Sequence, residues 1–104
     1  MVNSRRKGKD GENEFARFLR DHGIEARRGR QFKGTPDSPD IISDLEHIHF
    51  EVKRVEQLRL YSSLEQAKND AGDGQIPVVA HRRNGEKWVV IMDAEKFLEL
   101  AKGE

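Results

Sequence analysis

The sequence predicts an α/β domain in which a mixed sheet is flanked by helices. Three observations carry this. Apolar residues recur at helical spacing in three stretches, each closed by glycine. Between them lie short β-branched or strictly alternating runs, among them His47 to Lys53. The length, 104 residues and 12.0 kDa, suits one core and one domain.

The elements follow in order. Residues 1–9 are polar and basic without periodicity and read as a mobile arm, leaving residues 10–104 as the single folded domain. Asp10 can cap a helix running to about His22, with Gly23 as its stop and Phe15, Ala16, Phe18 and Leu19 as a narrow apolar stripe. Ile24 to Phe32 reads as a strand made very basic by Arg27, Arg28 and Arg30. Residues 33–39 have loop composition. Asp40-Ile41-Ile42-Ser43 opens a second strand, and Asp44, Leu45 and Glu46 make a tight connection to the third. There Ile48, Phe50 and Val52 share one face, and His47, His49, Glu51 and Lys53 share the other, an unusually ionisable outer face. Leu60 to Ala71 is a second helix on the stripe Leu60, Leu64, Ala67 and Ala71, ended by Gly72 and Gly74. Ile76 to His81 is a strand, Arg83-Asn84-Gly85-Glu86 carries the Asn-Gly hairpin signal, and Lys87 to Met92 follows, with Trp88 and Val89 to Met92 assigned to the core. Asp93 caps a last helix through Phe97, Leu98 and Leu100, stopped by Gly103. The order is α-β-β-β-α-β-β-α.

Composition narrows the function classes. Charged residues make up 37% and hydrophobic ones 35%, and there is no cysteine. Disulfides and thiolate metal sites are thereby excluded, and a reducing, cytoplasmic setting is expected. No apolar run has membrane-span length, and the basic start lacks the apolar stretch of a secretory signal. The 19 basic and 19 acidic side chains cancel, which taken alone argues against nucleic-acid binding. The zero is a sum of unlike parts. Residues 1–34 carry ten bases against five acids, and residues 35–104 carry nine against fourteen. One part suits gripping an anion and the other suits holding a cation.

The chemistry concentrates at Pro39-Asp40 and Glu51-Val52-Lys53. If the connection is centred on Leu45 and Glu46, antiparallel pairing sets Asp40 opposite Glu51, with Cβ atoms about 5 Å apart. Two carboxylates so placed repel unless a cation lies between them, and oxygen ligands suit a hard ion such as Mg²⁺. Lys53 points to the same place, where it can hold a water, favour its deprotonation or balance charge on a pentacovalent phosphate. The plain alternative is a surface cross-strand ion pair. Glu12 continues the core-facing stripe of the first helix, so its carboxylate needs a partner or a ligand, unless it only compensates the helix dipole. His47, His49 and Glu51 on one strand face make a Zn²⁺ site only with a further ligand. Otherwise the two histidines line the cleft or a dimer surface.

Pro39-Asp40, ten residues, then Glu51-Val52-Lys53 resembles the PD-(D/E)XK nuclease superfamily. With the helix Glu, the Gly-containing loop, Pro-Asp-Ile-Ile and Phe-Glu-Val-Lys, most of residues 8–92 resembles archaeal-type and phage Holliday-junction resolvases, and VRR-NUC nucleases are similar. The resemblance implies a restriction-endonuclease-like αβββαβ core and a Mg²⁺- or Mn²⁺-dependent, structure-selective DNA endonuclease. It implies that Glu12, Asp40 and Glu51 bind the ion with the backbone carbonyl of Val52, and that Lys53 orients or activates the attacking water. On the second helix Gln66 best matches a supporting Gln, ahead of Tyr61, although an ordinary solvent Gln fits as well. Thr35-Pro36-Asp37 offers a second Pro-Asp, but Ile41-Ile42 makes Asp40 the strand residue. Ser38 and Ser43 are further loop candidates. Arg27, Arg28, Arg30 and Lys33 would contact phosphates, as would Arg5, Arg6, Lys7 and Lys9 from the arm, positioning the backbone without reading bases. His81, Arg82 and Arg83 can add to these or merely decorate a hairpin. Symmetric cutting of a four-way junction needs two sites, so a homodimer is expected, with Trp88 to Met92 and Phe97, Leu98 and Leu100 offering an apolar interface. Two alternatives stay open. One is another nuclease on this fold (a nickase, flap or end-processing enzyme), and the other is a non-catalytic DNA-binding module.

Overall fold

The computed structural model describes residues 4–29 and 39–103, with side chains from residue 8. The element order is α1 (Ser4–Asp21), β1 (Ala26–Arg28), β2 (Ile41–Ser43), β3 (Ile48–Arg54), α2 (Leu60–Asp70), β4 (Ile76–Arg82), β5 (Val89–Ile91) and α3 (Ala94–Lys102). This is the expected α-β-β-β-α-β-β-α sequence. Among the described residues no helix is long and apolar enough to cross a membrane.

The central sheet is mixed, in the order β3-β4-β5. β3 and β4 run parallel with Phe50 beside Val78 and Glu51 beside Val79, and β5 returns antiparallel. A parallel pair needs a crossover, which α2 supplies by packing on both strands. One face of the sheet therefore carries Phe50, Val78 and Ala80 against Phe15, Ala16 and Leu19 of α1. The other buries Val79 against Leu64 and Ala67 of α2. Phe15 is the aromatic hub, with its ring centroid 5.1 Å from Phe50 and 4.8 Å from Trp88. Such ring pairs add about 0.5–1.5 kcal/mol beyond their buried area.

Several expectations need correction. Residues 4–9, read as part of an arm, are helical. Once the buried stripe of α1 anchors a helix, propagation through Arg5, Arg6, Lys7 and Lys9, which are good helix formers, outweighs the cost of about 1 kcal/mol at Gly8. Asp10 thus lies inside the helix and not at its cap. β1 covers Ala26–Arg28 of the longer expected strand. Residues 30–38, with Arg30, Lys33, Asp37 and Ser38, lie outside the described residues. β2 pairs antiparallel with β1, setting Arg28 beside Ile41, and no ladder joins β2 to β3 among the described residues. The face of β3 expected to be open to solvent is covered by α2, so His49 and Glu51 are buried while His47 is exposed. At the far edge Trp88 and Met92 pack on the core, but Val89 and Val90 are exposed.

Candidate metal and catalytic site

Asp40 stands where β2 begins, beside the uncovered edge of β3. Its backbone carbonyl accepts a hydrogen bond from Gly29 N–H at 2.8 Å, which ties it to the end of β1. A Cβ at Gly29 would run into the carbonyl oxygen of Pro39, so only glycine permits this approach. The Asp40 Oδ2 atom accepts from the Val52 N–H at 2.8 Å. A carboxylate thus occupies the place a strand rung would have filled, which is how Asp40 reaches the Glu51 strand without the expected hairpin pairing.

Glu12 is delivered from the other side of the sheet. α1 lies so close to the end of β3 that a Cβ on Gly11 would come within 2.5 Å of the Arg54 Cβ. The next residue, Glu12, is buried, and its Oε1 accepts from Arg28 Nε at 2.8 Å. Glu51 is buried too. Burial raises the Asp40 carboxyl from 3.8 to about 8, the Glu51 charge pushes the same way, the Val52 N–H bond opposes both, and Glu12 adds a further upward push. Three carboxyl groups therefore meet electrostatically at Asp40. A divalent cation among them relieves that repulsion, and an all-oxygen donor set of this charge fits a hard ion.

Lys53 follows Glu51 on the same strand face, with its Nζ 3.9 Å from Glu51 Oε2. It donates to Gln66 Oε1 at 3.0 Å, so α2 brings the expected Gln to the ammonium. Tyr61 on the same helix is 84% exposed. Ser43 uses its Oγ to accept from the Leu45 N–H at 3.1 Å. Among the expected phosphate contacts, Arg27 and Lys9 are exposed, and Arg5, Arg6 and Lys7 lie in the first turns of α1. Arg28 is instead committed to Glu12. His81 bonds the Val55 carbonyl at 2.9 Å, and Arg82 pairs with Glu14 at 2.8 Å. Two residues escaped the sequence reading. The ion pair of Arg28 with Glu12 has no signature in a basic strand, and Gly29, which holds Asp40, stands inside the expected Ile24 to Phe32 strand with no signal beyond being glycine.

The model of the archaeal Holliday junction resolvase family, Hjc, matches residues 3–102. Among solved structures, the 1.6 Å structure of Archaeoglobus fulgidus Hjc, a Holliday junction resolvase from an archaeal hyperthermophile, is similar. The two chains share 25% identity and a TM-score of 0.59 over 80% of this chain and 74% of that one. Among curated proteins none matches. The charged α/β chain with carboxyl groups converging beside a lysine thus belongs to the archaeal Holliday junction resolvase family of metal-dependent endonucleases.

Proposed function

We propose that this chain hydrolyses phosphodiester bonds at four-way DNA junctions through Glu12, Asp40, Glu51 and Lys53, with Mg²⁺ or Mn²⁺ as its cofactor. The observation that carries the assignment of residues is the meeting of the three carboxyl groups at Asp40 beside the Lys53 ammonium. Glu12, Asp40 and Glu51 are the side chains that would hold the ion, with the Val52 backbone beside them. When bound, the ion supplies positive charge to the phosphodiester oxygens and to a water. Lys53, an ammonium with three donors, orients the attacking water and offsets charge gathering on the phosphoryl oxygens. Gln66 fixes the direction of that ammonium. Arg28 holds the Glu12 carboxylate in place, and the exposed Arg27 and Lys9 are open to phosphates. Arg5, Arg6, Lys7, Arg30 and Lys33 complete the set of backbone contacts in this reading.

The active form is a homodimer. Val89 and Val90 on β5 and Phe97, Leu98 and Leu100 on α3 are exposed apolar side chains close together in the chain, a composition that fits a self-complementary interface.

The test is cleavage of junction, flap, nicked and linear duplex DNA side by side with Mg²⁺. Junctions are cut in preference to the others. Asp40→Asn and Glu51→Gln each abolish cutting, and Lys53→Ala slows it about 10²–10³-fold, while junction binding persists. Full activity in all three variants would overturn the residue assignment. Preference for flaps or nicked duplex would instead move the chain to another nuclease role on this fold.

A further inference from the structure

The two oxygens of Glu51 face different surroundings. Oε2 lies toward Lys53, as described above, while Oε1 lies 3.7 Å from His49 Nε2. His49 is only 6% exposed, and its Nε2 is buried with no hydrogen-bond partner among the described residues. Asp70, the last residue of α2, closes the group. One ligand atom from each of His49, Glu51 and Asp70 lies within 4.8 Å of the others. A buried imidazole nitrogen without a partner is costly, and nothing in the proposed chemistry employs it.

We propose that His49, Asp70 and the Oε1 side of Glu51 form a second cation site, under α2, selective for a divalent transition-metal ion such as Zn²⁺. Two ligands about 2.1 Å from one tetrahedral ion stand about 3.4 Å apart, a few tenths of an ångström inside the 3.7 Å between His49 Nε2 and Glu51 Oε1. An imidazole in the donor set favours Zn²⁺ and its neighbours over Mg²⁺, which takes oxygen ligands. The carboxyl group of Glu51 would then be shared between two cation sites of different chemistry. Because both draw on one charge, occupancy of either site is linked to occupancy of the other. The site deepens the metal-dependent reading, but its own test does not depend on cleavage.

Zn²⁺ is titrated into the full chain in excess Mg²⁺, with the bound ion counted by equilibrium dialysis and the imidazole ¹⁵N signals followed by NMR. One Zn²⁺ per chain binds, and the His49 Nε2 signal shifts to a coordinated position. His49→Gln and Asp70→Asn each weaken Zn²⁺ binding at least about tenfold, the lower end of the loss seen when a mere outer-shell partner is removed. If His49→Gln does not fold by circular dichroism, Asp70→Asn at the helix end carries the comparison. Zn²⁺ that fails to bind, or that binds without moving the His49 signals, overturns the site. Junction cleavage without Zn²⁺ coordination would sink this inference alone, and coordination without junction cleavage would sink only the function proposed above.

Discussion

Asp40 is the residue at which stability and the proposed metal binding oppose each other. Its carboxyl is raised from 3.8 to about 8, chiefly by burial and then by the Glu51 charge. Between those pH values the folded protein holds a proton that the unfolded chain releases. The stabilisation is therefore complete below about pH 4 and is lost as pH rises through about 8. In the presence of a chelator, Tm should fall as pH is taken from 6 to 9, and Asp40→Asn should flatten that slope. A wild-type slope equal to that of the variant would show that the carboxyl is not held protonated. On the proposed assignment, a divalent cation such as Mg²⁺ would invert the preference, because a metal requires the carboxylate. Mg²⁺ affinity should rise with pH up to about 8, and calorimetry in buffers of different ionisation enthalpy should record proton release near pH 7. Beside it, Lys53 and Gln66 separate by role. Lys53→Ala removes charge stabilisation and should cost about 10²–10³ in kcat. Gln66→Ala only loosens the ammonium, so its loss should be smaller and should fall on kcat more than on KM. Equal losses would mean that Gln66 itself contacts the substrate.

At the scale of elements, glycines set how closely the site can be drawn together. Gly29→Ala pushes a methyl group into the Pro39 carbonyl and strains the bond from Gly29 N–H to the Asp40 carbonyl. Overpacking of this kind costs about 1–3 kcal/mol. Thermal unfolding should show that loss, together with weaker Mg²⁺ binding, because Asp40 moves with its backbone. Unchanged metal affinity would show that β1 does not position the carboxyl. The element order was legible because three glycine-closed helical stripes and an alternating strand leave little choice. Asp40, Glu51 and Lys53 were legible from spacing on one strand and its neighbour, and Glu12 was legible as a charge on an apolar stripe. The replacement of a β2–β3 ladder by a side-chain bond was not. Asp44-Leu45-Glu46 has no turn signature, and no propensity encodes a side-chain carboxylate taking the N–H of Val52. The burial of His49 was hidden for a different reason. Alternation identifies two faces but does not say whether the second is wet. Only the parallel pairing of β3 with β4, which forces α2 across the sheet, decides that it is dry.

At the scale of the whole molecule, the even charge balance divides between a basic front and an acidic remainder that holds the candidate ligands Asp40 and Glu51. DNA binding should therefore weaken with salt and strengthen when Mg²⁺ is present. The apolar edge makes a sharper prediction. β5 is the outermost strand of its sheet, and Val89 and Val90 are about half exposed, as are Phe97 and Leu98 on the helix that follows. An uncovered strand edge beside apolar side chains is a template for association. Closed pairing through one such patch gives a two-fold dimer, with one set of Glu12, Asp40, Glu51 and Lys53 in each copy. The double variant Val90→Glu, Phe97→Glu places charges on that patch and touches none of the ligand residues. It should sediment as a monomer, keep its circular dichroism spectrum and bind Mg²⁺ as the wild type does. A cruciform extruded from a supercoiled plasmid reads out the consequence. Two coupled cuts across the junction linearise the circle, whereas one cut relaxes it and removes the cruciform before a second encounter. Wild type should yield linear DNA and the double variant nicked circles. Linear product from a proven monomer would place the dimer surface elsewhere or make it unnecessary.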